Sequence, residues 1–284
     1  MGEKVPFAYT VLFLFTWRKT MDKYTFLIQT DSDDTIDTAI IKYVLDSHKA
    51  LYDYDELALN DLDKCQFSDK KYIPVGNIDF VRKAIQLLYN PNFVEQPIEI
   101  PIYLQTPEFL KRTYKVCRWN EIPRTGKWFL KDASQIKFLS LCTNMEFFIN
   151  DEIFDYKPKH KYDASLSLPK TDDYIISSPY QIQSEYRLYI IDGRLENMSS
   201  YGDDILPLPD MDLINKAIKL INANEPWLKS YSLDVMVGPT GTAIIEIHNF
   251  ASLGLYSATF DKELLTAYIQ GIDYFLNDNS IKYK

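Results

Sequence analysis

The segment "YSLDVMVGPTGTAIIEIHNF", Tyr231–Phe250, contains two apolar, β-branched runs separated by Gly238-Pro239-Thr240-Gly241, the pattern of a β-hairpin. A three-residue loop, Pro239-Thr240-Gly241, with Gly241 left-handed, places Asp234 directly opposite Glu246. Like charges so placed destabilise a hairpin. The two-residue period puts Leu233, Val235, Val237, Ala243, Ile245 and Ile247 on the core side. Ser232, Asp234, Met236, Ile244, Glu246 and His248 then share the other side. Two readings follow. The acids belong to a solvated face, or they hold a cation between them, and Mg2+ is a hard ion that takes oxygen ligands. A four-residue loop would instead separate the acids onto opposite faces.

The chain has 284 residues, enough for one large domain or two of medium size. A hydrophobic fraction of 46% with 21 Tyr and 16 Phe marks a globular chain rather than a disordered one. Its net charge of −9 argues against broad attraction to nucleic acid or an anionic membrane. Cys65, Cys117 and Cys142 have no metal-binding spacing and are odd in number. Free thiols and a cytoplasmic setting are therefore expected.

Val5–Trp17, "VPFAYTVLFLFTW", is almost continuously apolar but shorter than the roughly twenty residues of a transmembrane helix. Arg18-Lys19 follow where a signal peptide needs small cleavage-site residues. Met21 opens a sequence typical of a first strand, turn and helix, so residues 1–20 are read as an N-terminal extension and Met21 as the functional start.

The pattern predicts a strand over Tyr24–Gln29 and a helix over Thr35–Asp46. A second strand in "KYIPV" precedes a turn at Gly76, a cap at Asn77 and a helix burying Ile78, Val81, Ile85 and Leu88. These elements make a small α/β domain, residues 21–105, followed by a larger one, residues 106–284. In the second lie a helix-like "TPEFLKRTYKV", a strand "GKWFLKDA", a strand-rich region from Tyr174 to Tyr201, a helix from Met211 to Asn222, the opening hairpin and a final helix from Lys262 to Leu276. In "SEYRLYIIDGRL", Asp192-Gly193 is a two-residue turn. Tyr186, Leu188 and Ile190 form the apolar face and leave Glu185, Arg187 and Tyr189 on the other, which aims Arg187 away from that core as a surface arginine or a bidentate phosphate ligand. Lys131, opposite Trp128 and Leu130, ends its strand as a solvated residue or a point charge for phosphate.

Neither a Gly-x-Gly-x-x-Gly nor a P-loop motif occurs, nor His-Glu-x-x-His or Gly-x-Ser-x-Gly. His48, His160 and His248 are the only histidines, which leaves few candidates for a triad.

In this order "YIPVGNIDFVRKAI", "GKWFLKDASQIKF", "EYRLYIIDGRL", "SLDVMV" and "IIEIHNFASLGLY" resemble the ATP-grasp superfamily, and within it a branch of small bacterial and phage proteins. The resemblance implies an α+β fold, two subdomains gripping ATP, behind a small α/β pre-grasp domain. It implies that Lys131, Lys137 and Arg187 contact nucleotide phosphates, that adenine lies near Ser178 and Tyr180, and that Asp234 and Glu246 bind Mg2+. The pattern's Glu-x-Asn is here Glu246-Ile247-His248-Asn249, so the third metal position falls to His248, or to Asn249 through a bulge; otherwise His248 contacts phosphate or water, or only caps the strand end, and the metal site is weakened. The activity implied is ATP- and Mg2+-dependent carboxylate-amine ligation through an acylphosphate, joining an amino acid to a peptide or protein. The N-terminal domain and the loop Asn150–Lys170 would select the substrate. The competing reading is a catalytically weak nucleotide-binding or protein-interaction module.

Overall fold

The computed structural model of the chain describes residues 24–32, 35–67, 70–93, 100–132, 140–144, 148–149, 152–154, 165–167, 173–202, 206–256 and 258–276. The extension at residues 1–20, the start at Met21, Lys137 and most of the Asn150–Lys170 loop lie outside them. The described residues form two compact units, one from residues up to Phe93 together with Phe250–Leu276, the other from Val94–Asn249.

The first unit begins with β1 (Tyr24–Gln29), α1 (Thr35–Ser47), β2 (Asp53–Leu57), β3 (Lys71–Val75) and α2 (Ile78–Leu88). The strands make a parallel sheet in the order β2-β1-β3. Central β1 is buried from Thr25 to Gln29, as parallel strands covered on both faces are. Edge strand β2, "DYDEL", has no fully buried residue, which is why its sequence carries no strand signal. Asn77 caps α2 by accepting a hydrogen bond from the Phe80 amide at 3.0 Å. Glycine suits position 76, because a Cβ there would lie 2.7 Å from the Cβ of buried Gln29. The inner face of α2 is Phe80, Val81, Ala84 and Ile85, with Ile78 and Leu88 only half-buried.

The second unit starts with α3 (Pro107–Leu110) and β4 (Tyr114–Arg118). The helix expected over "TPEFLKRTYKV" is thus one turn long. Lys111 takes a left-handed φ of 52°, and Tyr114–Arg118 pairs with the sheet instead of continuing the helix. Next come β5 (Lys127–Asp132), β6 (Ser140–Asn144), β7 (Phe148–Ile149), β8 (Glu152–Phe154), β9 (Ser165–Ser167) and β10 (Asp173–Ser177). They form sheets β4-β10-β5-β6 and β7-β8-β9, so the expected Asn150–Lys170 loop contains two short strands. Cys117, Trp119, Ile122, Leu130, Tyr174 and Ile176 form a core on the four-stranded sheet.

A further four-stranded sheet, β12-β11-β13-β14, carries β11 (Ser184–Ile191), β12 (Arg194–Ser200), β13 (Tyr231–Gly238) and β14 (Gly241–Asn249). The β11–β12 turn is Asp192-Gly193, with φ of 50° and 72°, the positive values a two-residue hairpin turn requires. Between β12 and β13, α4 (Met211–Asn224) is capped by Asp210, which accepts from the Asp212 and Leu213 amides at 3.0 and 3.1 Å. Leu213, Ile214, Ala217, Ile218 and Ile221 are its buried side.

After β14 the chain re-enters the first unit, where Asp37 accepts from the Leu255 amide at 2.8 Å and Ser252 donates to the Gly76 carbonyl at 3.1 Å. The last helix, α5 (Glu263–Leu276), packs there on α1 and β3. Among the described residues no helix is long and apolar enough to cross a membrane.

Candidate functional site

The β13–β14 hairpin sets Asp234 opposite Glu246, but not through the expected loop. Gly238 pairs with Gly241 across a two-residue turn, and Val235 pairs with Ile244. A β-bulge at Ile245 then restores the Asp234–Glu246 pair. The bulge corrects the face assignment: Ala243 lies on the side of Asp234, and Ile244 on that of Val235. Both are buried, so hydrophobicity alone could not signal the exchange. Arg112 donates to the Ile244 carbonyl at 2.7 Å, giving a strong partner to a backbone group beside the irregularity.

The cations facing these acids belong to the chain itself. Arg187 on β11 is the cross-strand partner of Asp234. It donates through Nε to Oδ1 at 2.9 Å and through Nη2 to Oδ2 at 2.7 Å, a bidentate geometry. Tyr201 donates to the same Oδ2 at 2.6 Å, and the guanidinium stands 5.2 Å from the centre of its ring. Arg187 is 6% exposed and Asp234 1%, which corrects the reading of Arg187 as a surface residue. Lys131, from β5 of the other four-stranded sheet, donates through Nζ to Glu246 Oε2. His248 Nε2 lies 2.6 Å from Glu246 Oε1 and 3.9 Å from Asp234 Oδ2.

Asp234, Glu246 and His248 each offer a ligand atom, all within 4.8 Å of one another. Two carboxylates suit a hard divalent ion, whereas an imidazole suits Mg2+ less than it suits transition metals. Asn249 pairs with Tyr231 on the opposite face of β14. The bulge lies before Glu246, so alternation brings His248 to the acids and turns Asn249 away.

Ser178 and Tyr180 sit on the link between β10 and β11. The Ser178 hydroxyl accepts from the Thr113 amide at 3.1 Å, while Thr113 Oγ1 accepts from the Ser178 amide at 2.9 Å. Tyr180 donates to the Gly241 carbonyl, and its ring lies 2.6 Å from where a Cβ on Gly238 would stand. These contacts tie the link to β4 and to the tip of the hairpin, apart from the charged cluster. Lys137 is outside the described residues.

Two members of the site were not foreseen. Tyr201, just past the end of β12, looks like any solvent-edge tyrosine in sequence. Glu185 lies two positions before Arg187 on the same strand face; burial and then the charges of Asp234 and Glu246 push its carboxyl above the usual glutamate range, with Arg187 opposing. Period-two alternation does set Glu185 on the face of Arg187, but nothing in the sequence marks it as a member of the site.

The profile of an ATP-grasp domain family, the second family of its clade, matches residues 109–264. The D-cycloserine synthetase DcsG superposes with a TM-score of 0.51 at 10% identity, covering 88% of this chain and 99% of that one. The D-alanine–D-alanine ligase of Bacillus anthracis gives a TM-score of 0.44 at 12% identity over 92% and 97% of the two chains. For the macrocyclase MdnC of Microcystis aeruginosa, bound to its precursor peptide MdnA, the values are 0.43, 11%, 90% and 99%. No curated relative matches the sequence.

Proposed function

The chain belongs to the ATP-grasp domain family whose profile it matches, and on that premise we propose that it is an ATP-dependent carboxylate-amine ligase working through an acylphosphate. The supporting observation is the convergence of Lys131 and Arg187 on Asp234 and Glu246, which brings phosphate-binding cations and metal-binding anions together. Asp234 and Glu246 would hold the divalent cation that accompanies ATP, with His248 beside them, and the cation would neutralise charge developing on the phosphates.

A substrate carboxylate oxygen attacks the γ-phosphorus, the bond to the bridging oxygen breaks, and ADP departs. The amine then attacks the acyl carbon, phosphate leaves with the C–O bonding pair, and loss of a proton from nitrogen completes the amide. Lys131 and Arg187 carry the positive charge that orients the phosphates and offsets their growing negative charge. Both already rest on carboxylates, so nucleotide binding exchanges one set of anionic partners for another. The acceptor amine is assigned to an amino acid or a peptide, in keeping with the ligase class.

The reading is tested by calorimetric titration of the full chain with a non-hydrolysable ATP analogue and Mg2+ or Mn2+. Saturable binding of one nucleotide per chain is expected, and absence of binding with either ion would overturn it.

A further inference from the structure

We propose that Asp234, Glu246 and His248, together with the Ser232 hydroxyl, form a site that selects a first-row transition-metal ion such as Mn2+ over Mg2+. This rests on the nucleotide-binding reading above and specifies its metal. Two observations carry it. The first is the donor set, in which the imidazole nitrogen of His248 converges with two carboxylates inside 4.8 Å. Imidazole suits later first-row ions such as Fe2+ and Zn2+ best; Mn2+ favours oxygen too but accepts nitrogen more readily than Mg2+, which keeps to oxygen. The regular alternation after Glu246 fixes this choice, because it holds the neighbouring amide, Asn249, on the other face.

The second observation is Ser232. It is 0% exposed and its hydroxyl has no hydrogen-bond partner, an arrangement that costs stability unless something fills it. Ser232 stands directly opposite His248 in the β13–β14 ladder and two residues before Asp234 on the same face. A water carried by a metal ion between His248 and Asp234 is the partner of the right size and polarity. Hydrogen bonds of this kind to a metal's outer sphere commonly change affinity about 10- to 100-fold when removed.

Mn2+ binding to the full chain is measured by loss of the free-ion electron paramagnetic resonance signal, with Mg2+ as competitor, alone and with a non-hydrolysable ATP analogue. The preference for Mn2+ over Mg2+ should fall about tenfold in His248→Asn, while Ser232→Ala should weaken both ions alike and leave the ratio intact. Electron-spin-echo modulation of Mn2+ on the unmodified protein should show a directly bound nitrogen, a readout that needs no variant. An unchanged ratio in His248→Asn, or no nitrogen coupling, overturns the inference. Unaltered affinities in Ser232→Ala remove the hydroxyl from it. If the nucleotide analogue binds and the ratio is unchanged, only the metal assignment fails; if neither nucleotide nor ion binds, the ligase reading fails with it.

Discussion

Asp234 and Glu246 stand opposite each other in one hairpin, yet their surroundings differ. Asp234 is sealed, its two oxygens held by Arg187 and Tyr201, with 1% of its side chain exposed. Glu246 is 23% exposed and shares Lys131 and His248, which are each 21% exposed. A buried charge pair is costly to break, because removing one member strands the other away from water. A part-exposed pair contributes little to stability and can exchange partners readily. Ligands are therefore expected to engage the open acid first, and parting the sealed pair carries the larger cost.

Removing the arginine puts the contrast between the two acids under the greatest strain. Arg187→Met should lower folding stability by about 3–5 kcal/mol, because Asp234 is left buried without its partner; chemical denaturation measures it. A loss below about 1 kcal/mol would mean that Asp234 is less sealed than its geometry indicates.

Lys131→Ala addresses the open acid. It should weaken binding of the ATP analogue by about 1.5–3 kcal/mol while changing stability by less than about 1 kcal/mol, read by calorimetry and thermal melting of the same sample. Arg187 then carries a structural penalty on top of its ligand role, and Lys131 a ligand penalty with little structural one.

Tyr201→Phe tests the sealing with a smaller change. It deletes one hydrogen bond to a carboxylate and should cost about 1.5 kcal/mol in denaturant unfolding.

A slighter shift is expected at Glu185. Its carboxyl titrates above the ordinary range because of burial and the two neighbouring acids. An acid with a raised folded-state pKa penalises the fold above the unfolded-state pKa, and the penalty vanishes once the pH is low enough to protonate both states. Glu185→Gln should accordingly melt slightly higher than the parent near neutral pH and equal to it in acid. A variant less stable at neutral pH would contradict the assigned sign.

Much of this architecture was legible in the sequence. The continuous apolar run of β1, the Asn77 cap and the Asp192-Gly193 turn all rest on local chemistry that one segment carries by itself, whereas the Asp234–Glu246 pair was expected through a three-residue loop and is reached instead by a two-residue turn and a bulge. What stayed hidden depends on partners far along the chain. The bulge at Ile245 is invisible because Ala243, Ile244 and Ile245 are all apolar and fit either face. Arg187 reads as exposed because the carboxylate that holds it, Asp234, comes from β13, across the other edge of β11. Edge strand β2 escaped notice because its acids face water, and the helix predicted after Thr106 was cut short by pairing of Tyr114–Arg118 with β10.

The proposed chemistry turns on Lys131 and Arg187 leaving carboxylates for phosphate when nucleotide binds. A crystal structure of the full chain with a non-hydrolysable ATP analogue and Mn2+ shows whether they do. Terminal phosphate oxygens are expected within hydrogen-bond distance of Lys131 Nζ and the Arg187 guanidinium, with the ion on Asp234, Glu246 and His248. Nucleotide bound elsewhere, with the Lys131–Glu246 and Arg187–Asp234 pairs intact, would refute that exchange.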